Sequence, residues 1–203
     1  MNLPNKITIT RIIMAILMII LLLIPDGSFG FKWPAPLVND EPLSLQYIIA
    51  GIIFVIASLS DFIDGHLARK NNMVTDFGKV ADAIADKVLV NGLLIVLACN
   101  SNISPVIPVV IITRDTIVDS LKMISGNKGK VVAASYLGKA KTMCMMIGLT
   151  LIMFNDFPFC YLGIPVDQFL IIVATILSVV SGCQYYYKTR EFVIPKEDIK
   201  STK

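Results

Sequence analysis

Six long apolar runs, separated by short polar segments, constrain the fold of this chain more than any other feature of its sequence. About 20 mostly apolar residues in a helix span the hydrocarbon core of a bilayer, and each run has about that length. The chain of 203 residues is 55% hydrophobic with a mean hydropathy of +0.73, which is too apolar for an ordinary soluble domain. The runs lie at about 7–24, 45–63, 80–99, 103–122, 142–160 and 166–187.

These runs predict an all-α, polytopic membrane protein with six transmembrane helices, folded as a single domain over residues 1–203. The connections are too short to hold a soluble domain, and the sequence has no internal repeat or low-complexity tract. No A-x-A-like cleavage site follows the first run, so we expect this run to remain as the first helix.

Lysine and arginine predict the orientation of the helices, because they concentrate in short cytoplasmic loops and near helix ends. With the N-terminus inside, nearly all of them fall on the cytoplasmic side, and we expect both termini and the segment 60–87 to face the cytoplasm. The net charge of +3 needs no nucleic acid as a partner, since anionic lipid headgroups lie beside these residues. The outer loops carry Lys32 and five acidic residues: Asp26, Asp40, Glu41, Asp156 and Asp167.

The segment 60–87, SDFIDGHLARKNNMVTDFGKVADAIADK, places aspartates between two very apolar stretches. Four of them form two pairs, Asp61 with Asp64 and Asp82 with Asp86. Spacings of three and four residues place each pair on one face of a helix. The pairs lie at the cytoplasmic ends of successive antiparallel helices, so we expect the two helices to be neighbours and the pairs to face each other.

Four close carboxylates repel one another unless cations compensate their charge, so the cluster predicts a divalent metal site. Oxygen ligands without Cys or His select Mg²⁺ or Mn²⁺ before Zn²⁺. Two ions shared by the four aspartates would suit displacement at phosphorus. A solvated cytoplasmic loop accounts for Lys70, Asp76 and Lys79, but it does not account for two helically phased pairs.

Small residues lie on the same helix faces as the two aspartate pairs. Gly65 and Ala68 come after the first pair, and Gly78 stands one turn before Asp82. A helix face without side-chain bulk lets a substrate approach the backbone, and Arg69 offers a planar cation to a phosphate. These residues are therefore candidates for substrate binding.

Together these residues spell D-x-x-D-G-x-x-A-R, eight residues, and then G-x-x-x-D-x-x-x-D, which resembles the signature of the CDP-alcohol phosphatidyltransferase family. The match has no departure, and the six-helix layout extends it over nearly the whole chain. The resemblance implies a homodimeric, multi-pass enzyme of the bacterial cell membrane, with two Mg²⁺ or Mn²⁺ ions on the four aspartates. It also implies transfer of a phosphatidyl group from CDP-diacylglycerol to an alcohol, with release of CMP at a site facing the cytoplasm. Asp86 is then the candidate base.

Two further stretches, NLPNKITITR and ASYLGKAKT, resemble the members of this family whose acceptor is sn-glycerol 3-phosphate. An acceptor with its own phosphate needs cations beyond those that hold the CDP. Arg114 is a candidate because an arginine inside an apolar helix is costly and by default marks a site; pairing with Asp115 or Asp119 is the alternative. Lys139 and Lys141 enter the fifth helix from the cytoplasmic side and are candidates for the same phosphate, or solvated residues of that loop.

Near the N-terminus, Asn5, Thr8 and Arg11 are spaced three apart and share one helix face. Asn5 and Thr8 are candidates for covering the nucleotide of CDP-diacylglycerol. A capped helix start that anchors the chain in the membrane accounts for them equally well.

Three alternatives stay open at this level. Within the family the acceptor can be inositol phosphate, serine or phosphatidylglycerol instead. An Mg-dependent intramembrane prenyltransferase also binds metal through aspartates on helices, but its motifs lack the G-x-x-A-R continuation. A cation carrier would place acidic residues in the middle of several helices, whereas here they cluster at one end of a helix pair.

Overall fold

The described residues form six α-helices, which confirms the all-α class. The computed structural model describes residues 3–25, 32–38, 41–70, 76–127 and 135–193, without the side chains of residues 3, 4, 41, 62–70, 76, 79, 127 and 191–193. The helices are α1 (Leu3–Leu23), α2 (Leu45–Lys70), α3 (Asp76–Cys99), α4 (Val106–Asn127), α5 (Tyr136–Met153) and α6 (Val166–Val193).

Two stretches, Asn5–Leu23 within α1 and Val166–Arg190 within α6, are long and apolar enough to cross a membrane, as judged on the described residues. Both expose large apolar side chains along their length, which is what contact with lipid requires. Between α1 and α2 the chain forms a short antiparallel hairpin from β1 (Leu37–Val38) and β2 (Glu41–Pro42).

The helices pack as two groups of three. In the first group α1 packs against α2 and α3, and in the second α6 packs against α4 and α5. The groups meet where α2 contacts α5 and where α3 contacts α4. One continuous apolar core runs through both groups and includes Met18, Phe54, Leu93, Ile111, Leu149 and Ile171.

Within the described residues, the two helices that carry the aspartate pairs contact each other little, contrary to the prediction that they are neighbours. The contacts between α2 and α3 are sparse, and α1 packs extensively against both of them. Gly92 of α3 leaves room for the Ile19 side chain of α1, because a Cβ at residue 92 would collide with Cδ1 of Ile19. Asp61 and Asp82 therefore meet through Arg11 of α1, a long-range contact that the spacing of aspartates along the sequence does not encode.

The fifth helix also differs from its apolar run, since α5 begins before the run and ends at Met153. The chain turns at Asp156, which has a left-handed φ of 55°, and a 3₁₀ helix follows at Phe159–Leu162. The Asp156 carboxylate accepts hydrogen bonds from the backbone N–H groups of Val166 (3.0 Å) and Asp167 (3.2 Å), and so caps α6. Hydropathy does not separate an apolar turn from an apolar helix.

Gln46 of α2 forms hydrogen bonds with the C-terminal end of α1. Its buried side-chain amide donates to the carbonyl oxygens of Leu21 and Ile24, the latter at 2.9 Å. Gln46→Leu should leave both carbonyls without this donor and lower the free energy of unfolding by about 1–3 kcal/mol. Thermal unfolding in detergent measures the change.

Gln168→Leu is the matched control for this prediction. The Gln168 side chain donates one exposed hydrogen bond to the carbonyl of Asn102 at 3.0 Å, which water can replace. We expect a clearly smaller loss of stability for this variant. Equal losses in the two variants would contradict a role for Gln46 in fixing α1.

Candidate active site

A buried arginine on α1 joins the two aspartate-bearing helices. The Arg11 side chain has no exposed surface, and its Nη1 donates to Oδ1 of Asp61 on α2 and to Oδ1 of Asp82 on α3, the latter at 3.0 Å. The two carboxylates remain partly exposed. Because one guanidinium nitrogen reaches both of them, Asp61 and Asp82 converge on a single cationic position.

This convergence fits a hard divalent cation in its donor chemistry, because the converging ligand atoms are carboxylate oxygens. Among the described side chains, no three His, Cys, Asp or Glu residues form a group that could hold a metal ion. Asp64, one of the four predicted ligands, lies outside the described side chains, so the two-metal site stays a prediction. The side chains of Gly65, Ala68 and Arg69 lie outside them as well.

The N-terminal candidates lie beside this cluster. Asn5 and Thr8 are buried on α1, as is Arg11, so the predicted shared face is present. Gly78 lies on α3, one turn before Asp82. Sequence reasoning missed the part that Arg11 plays, although an arginine at the start of an apolar helix is the same signal that pointed to Arg114.

A cleft of about 330 Å³ lies among α3, α4, α5 and α6, at one side of the aspartate cluster. The three candidates for phosphate binding, Arg114, Lys139 and Lys141, all line it, and so does Asp86. The structure therefore brings the predicted phosphate ligands and the predicted base together from three helices. The other charged residues that line the cleft are Lys87, Asp115, Asp119 and Lys122.

Asp115 lies between two of these cations. Its Oδ1 accepts from Nη1 of Arg114 at 2.7 Å, and its two oxygens lie 2.8 Å and 2.9 Å from Nζ of Lys141. The alternative that Arg114 pairs with Asp115 is thus confirmed, and the pair still lines the cleft. Ser181 of α6 accepts a hydrogen bond from Nη2 of Arg114 at 2.7 Å.

Asp119 is likewise held by two cations, with an ion pair to Lys87 and another to Lys122 at 3.4 Å. Lys139 makes no ion pair with any side chain that the structure describes. It lies in the first turn of α5, which starts where Ser135 Oγ accepts from the N–H of Gly138 at 3.1 Å. The lining residues carry five cations against three carboxylates, so the cleft has a surplus of positive charge.

Asp86 lies between the ion pairs of Arg11 and the charged residues of the cleft. It follows Asp82 by one turn of α3 and interacts electrostatically with Asp61 and Arg11 on one side and with Lys141 on the other. Its side chain is exposed in the cleft, and it forms no ion pair within the part of the chain that the structure describes. Asp86 therefore differs from Asp61 and Asp82, each of which accepts a hydrogen bond from Arg11 through its Oδ1.

The site thus combines a cluster of signature aspartates with a cleft whose lining carries a surplus of positive charge. Residues 1–180 match the family model described as CDP-alcohol phosphatidyltransferase. The chain belongs to the CDP-alcohol phosphatidyltransferase family. This membership favours phosphatidyl transfer over the prenyltransferase and carrier alternatives.

Several relatives share one name, CDP-diacylglycerol–glycerol-3-phosphate 3-phosphatidyltransferase. The chain is 38% identical to the Bacillus subtilis protein over 191 residues, which is 94% of this chain and 96% of that protein. It is 34% identical to the Rickettsia typhi protein over 187 residues, 91% of this chain and 95% of the other. The Mycoplasma genitalium protein is 38% identical over 152 residues, 73% of this chain and 63% of that protein.

Replacing Arg11 by Met should destabilise the metal-free protein, because Asp61 and Asp82 lose the cation between them. We expect a loss of about 1–3 kcal/mol, less than for a fully buried pair because water screens both carboxylates. Mg²⁺ should then raise the melting temperature of the variant more than that of the wild type. Thermal unfolding in detergent, with EDTA or with Mg²⁺, measures both effects.

Arg190→Met is the control, since Arg190 is exposed on α6 and lies 5.6 Å from the ring centre of Tyr187. This variant should keep the stability of the wild type and its response to Mg²⁺. An Arg11→Met variant that gains no more from Mg²⁺ than the wild type would argue against a shared cation position between Asp61 and Asp82.

Proposed function

We propose that this protein transfers a phosphatidyl group from CDP-diacylglycerol to sn-glycerol 3-phosphate, giving phosphatidylglycerophosphate and CMP in phospholipid biosynthesis. The proposal rests on the observation that the candidate base and the candidate phosphate ligands line the same cleft. Asp86 belongs to the family signature, and in the cleft it lies with Arg114, Lys139 and Lys141. The names of the relatives from Bacillus subtilis and Rickettsia typhi agree with this acceptor.

The charge of the cleft supports an acceptor that carries a phosphate monoester. Five cations face three carboxylates in the lining, and this surplus complements a dianionic phosphate. Serine brings no phosphate, and phosphatidylglycerol brings only a phosphodiester with one negative charge. Lys139 is the cation best placed for a phosphate, because Asp115 and Asp119 already engage the lysines at 87, 122 and 141.

In the mechanism, Arg114, Lys139 and Lys141 bind the phosphate of the acceptor and orient its hydroxyl towards Asp86. Asp86 takes the proton of that hydroxyl. The acceptor oxygen then forms a bond to the phosphorus that carries diacylglycerol, and the bond from this phosphorus to the oxygen of CMP breaks. CMP leaves with the electron pair of that bond.

We infer that Asp61, Asp64, Asp82 and Asp86 hold two Mg²⁺ or Mn²⁺ ions. When bound, such ions neutralise the pyrophosphate and the departing CMP. Asp86 needs one oxygen free of ligation to accept a proton, and its lack of an ion pair to the described side chains supports this role. We further propose a CDP-diacylglycerol site formed by Asn5, Thr8, Gly65, Ala68, Arg69 and Gly78.

For the arrangement in the bilayer, we propose a single domain of six transmembrane helices, with both termini and the active site at the cytoplasmic side of a bacterial cell membrane. The exposed apolar residues of α1 and α6, such as Leu17 and Ile172, suit contact with lipid. The diacylglycerol chains stay in the bilayer while the headgroups enter the cleft. We also propose that the enzyme is a homodimer.

The test is an acceptor panel with the purified protein and CDP-diacylglycerol. Glycerol 3-phosphate, inositol phosphate, serine and phosphatidylglycerol are added in turn, and CMP release and the lipid product are measured. Only glycerol 3-phosphate should give rapid release, and EDTA should abolish it until Mg²⁺ or Mn²⁺ is restored. Faster release with another acceptor would overturn the acceptor assignment, and no release with any acceptor would overturn phosphatidyl transfer.

Lys139→Ala tests the phosphate site, because the change removes one charge without breaking an ion pair among the described side chains. Loss of a charge-assisted contact should raise the KM for glycerol 3-phosphate roughly tenfold to a hundredfold. The KM for CDP-diacylglycerol should hardly change. Lys188→Ala is the control, since Lys188 is exposed on α6 and does not line the cleft; a similar effect of both changes would speak for a general charge effect.

Asp86→Asn should lower turnover and not the affinity for the acceptor, because the change removes the proposed base and weakens one proposed metal ligand. We expect kcat to fall roughly 10²- to 10⁴-fold even at saturating acceptor. The KM for glycerol 3-phosphate should stay near that of the wild type. A variant that keeps its turnover would exclude Asp86 as the base.

A further inference from the structure

We propose that Ser181 and Gly182 of α6 position Arg114 for the phosphate of the acceptor, and that this pair, the Arg114 seat, sets the affinity for the acceptor. The inference rests on the proposed function. Both residues lie just beyond residues 1–180, which match the family model, and neither belongs to the aspartate signature. Their role follows from what each one does to the Arg114 side chain.

Ser181 is an oriented hydrogen-bond acceptor. It is buried, and its hydroxyl donates to the carbonyl oxygen of Ser178 at 3.0 Å. Because this contact uses the single proton of the hydroxyl, its lone pairs are left for Nη2 of Arg114 at 2.7 Å. The backbone of α6 thus fixes the direction from which Ser181 binds the guanidinium.

Gly182 supplies the space that the arginine side chain fills. A Cβ at this position would lie 3.0 Å from Cγ and 3.1 Å from Nε of Arg114, closer than ordinary van der Waals contact. Nε of Arg114 is buried and has no hydrogen-bond partner in the described part of the chain. The inner part of the Arg114 side chain therefore packs directly on Gly182, and a methyl group at residue 182 would shift it by a few tenths of an ångström.

The seat matters for binding because the guanidinium is shared between two helices. Nη2 binds Ser181 on α6, while Nη1 binds Asp115, which also holds Lys141. A displaced Arg114 would therefore disturb two of the three phosphate ligands. A side chain fixed before the substrate arrives also loses less conformational entropy when the phosphate binds.

Gly182→Ala tests the seat. The added methyl group should raise the KM for glycerol 3-phosphate roughly tenfold, since a small misplacement of a positioning group is costly. The kcat and the KM for CDP-diacylglycerol should change by less than about twofold in the same assay, because Asp86 and the signature aspartates are not displaced. Ser181→Ala should raise the same KM by about fivefold, through the lost hydrogen bond.

A double-mutant cycle separates positioning from a general effect on packing. In an Arg114→Ala background the new methyl group has no side chain to displace, so Gly182→Ala should have no further effect on the KM. Gly148→Ala is the matched control: its Cβ would lie 3.0 Å from Ile171 on α6, away from the cleft. This variant should change thermal stability without changing the KM for glycerol 3-phosphate.

Three results would overturn the seat: an unchanged KM in Gly182→Ala, the same rise in the Arg114→Ala background, or the same rise in Gly148→Ala. If Gly182→Ala does not fold, the Ser181→Ala variant decides by the same measurements. Failure of the proposed function looks different, because the wild type itself would then release no CMP with glycerol 3-phosphate. If the wild type is active and the variants keep its KM for glycerol 3-phosphate, the Arg114 seat is contradicted and the proposed function is not.

Discussion

The ion pairs of Arg11 with Asp61 and Asp82 are the interaction on which the site depends. A guanidinium without exposed surface is stable only where carboxylates compensate its charge, so α1 has to bring Arg11 to the ends of α2 and α3. Three helices are thereby joined at the family signature. Asp86, one turn further along α3, then reaches the cleft beside α4 and α5.

In the cleft, too, carboxylates compensate the charge of neighbouring cations. Asp115 is shared by Arg114 and Lys141, and Asp119 is held by two further lysines. Such sharing offsets part of the repulsion among cations that lie close together, and it leaves the cleft with a surplus of positive charge. In the proposed mechanism, binding of the acceptor and the chemistry at phosphorus therefore fall on different residues, which lie together around Asp86.

Much of this arrangement could be predicted from the sequence. Apolar runs locate the helices, helical spacing pairs the aspartates, and an arginine in an apolar run pointed to the cleft in which Arg114 lies. The packing of α1 between α2 and α3 could not be predicted, because it consists of contacts between residues far apart in the chain, such as Ile19 beside Gly92. Ser181 and Gly182 give no signal either, since small residues in an apolar helix look like ordinary packing until their neighbour is known.

The central claim is that the acceptor's phosphate binds beside Asp86 without needing its proton-accepting function. The most direct measurement is a calorimetric titration of glycerol 3-phosphate into the Asp86→Asn protein with Mg²⁺ and CMP present, alone and combined with Lys139→Ala. The account predicts a Kd near that of the wild type for the single variant and roughly tenfold to hundredfold weaker binding for the combination. Loss of binding in Asp86→Asn alone, or no further loss on adding Lys139→Ala, would contradict it.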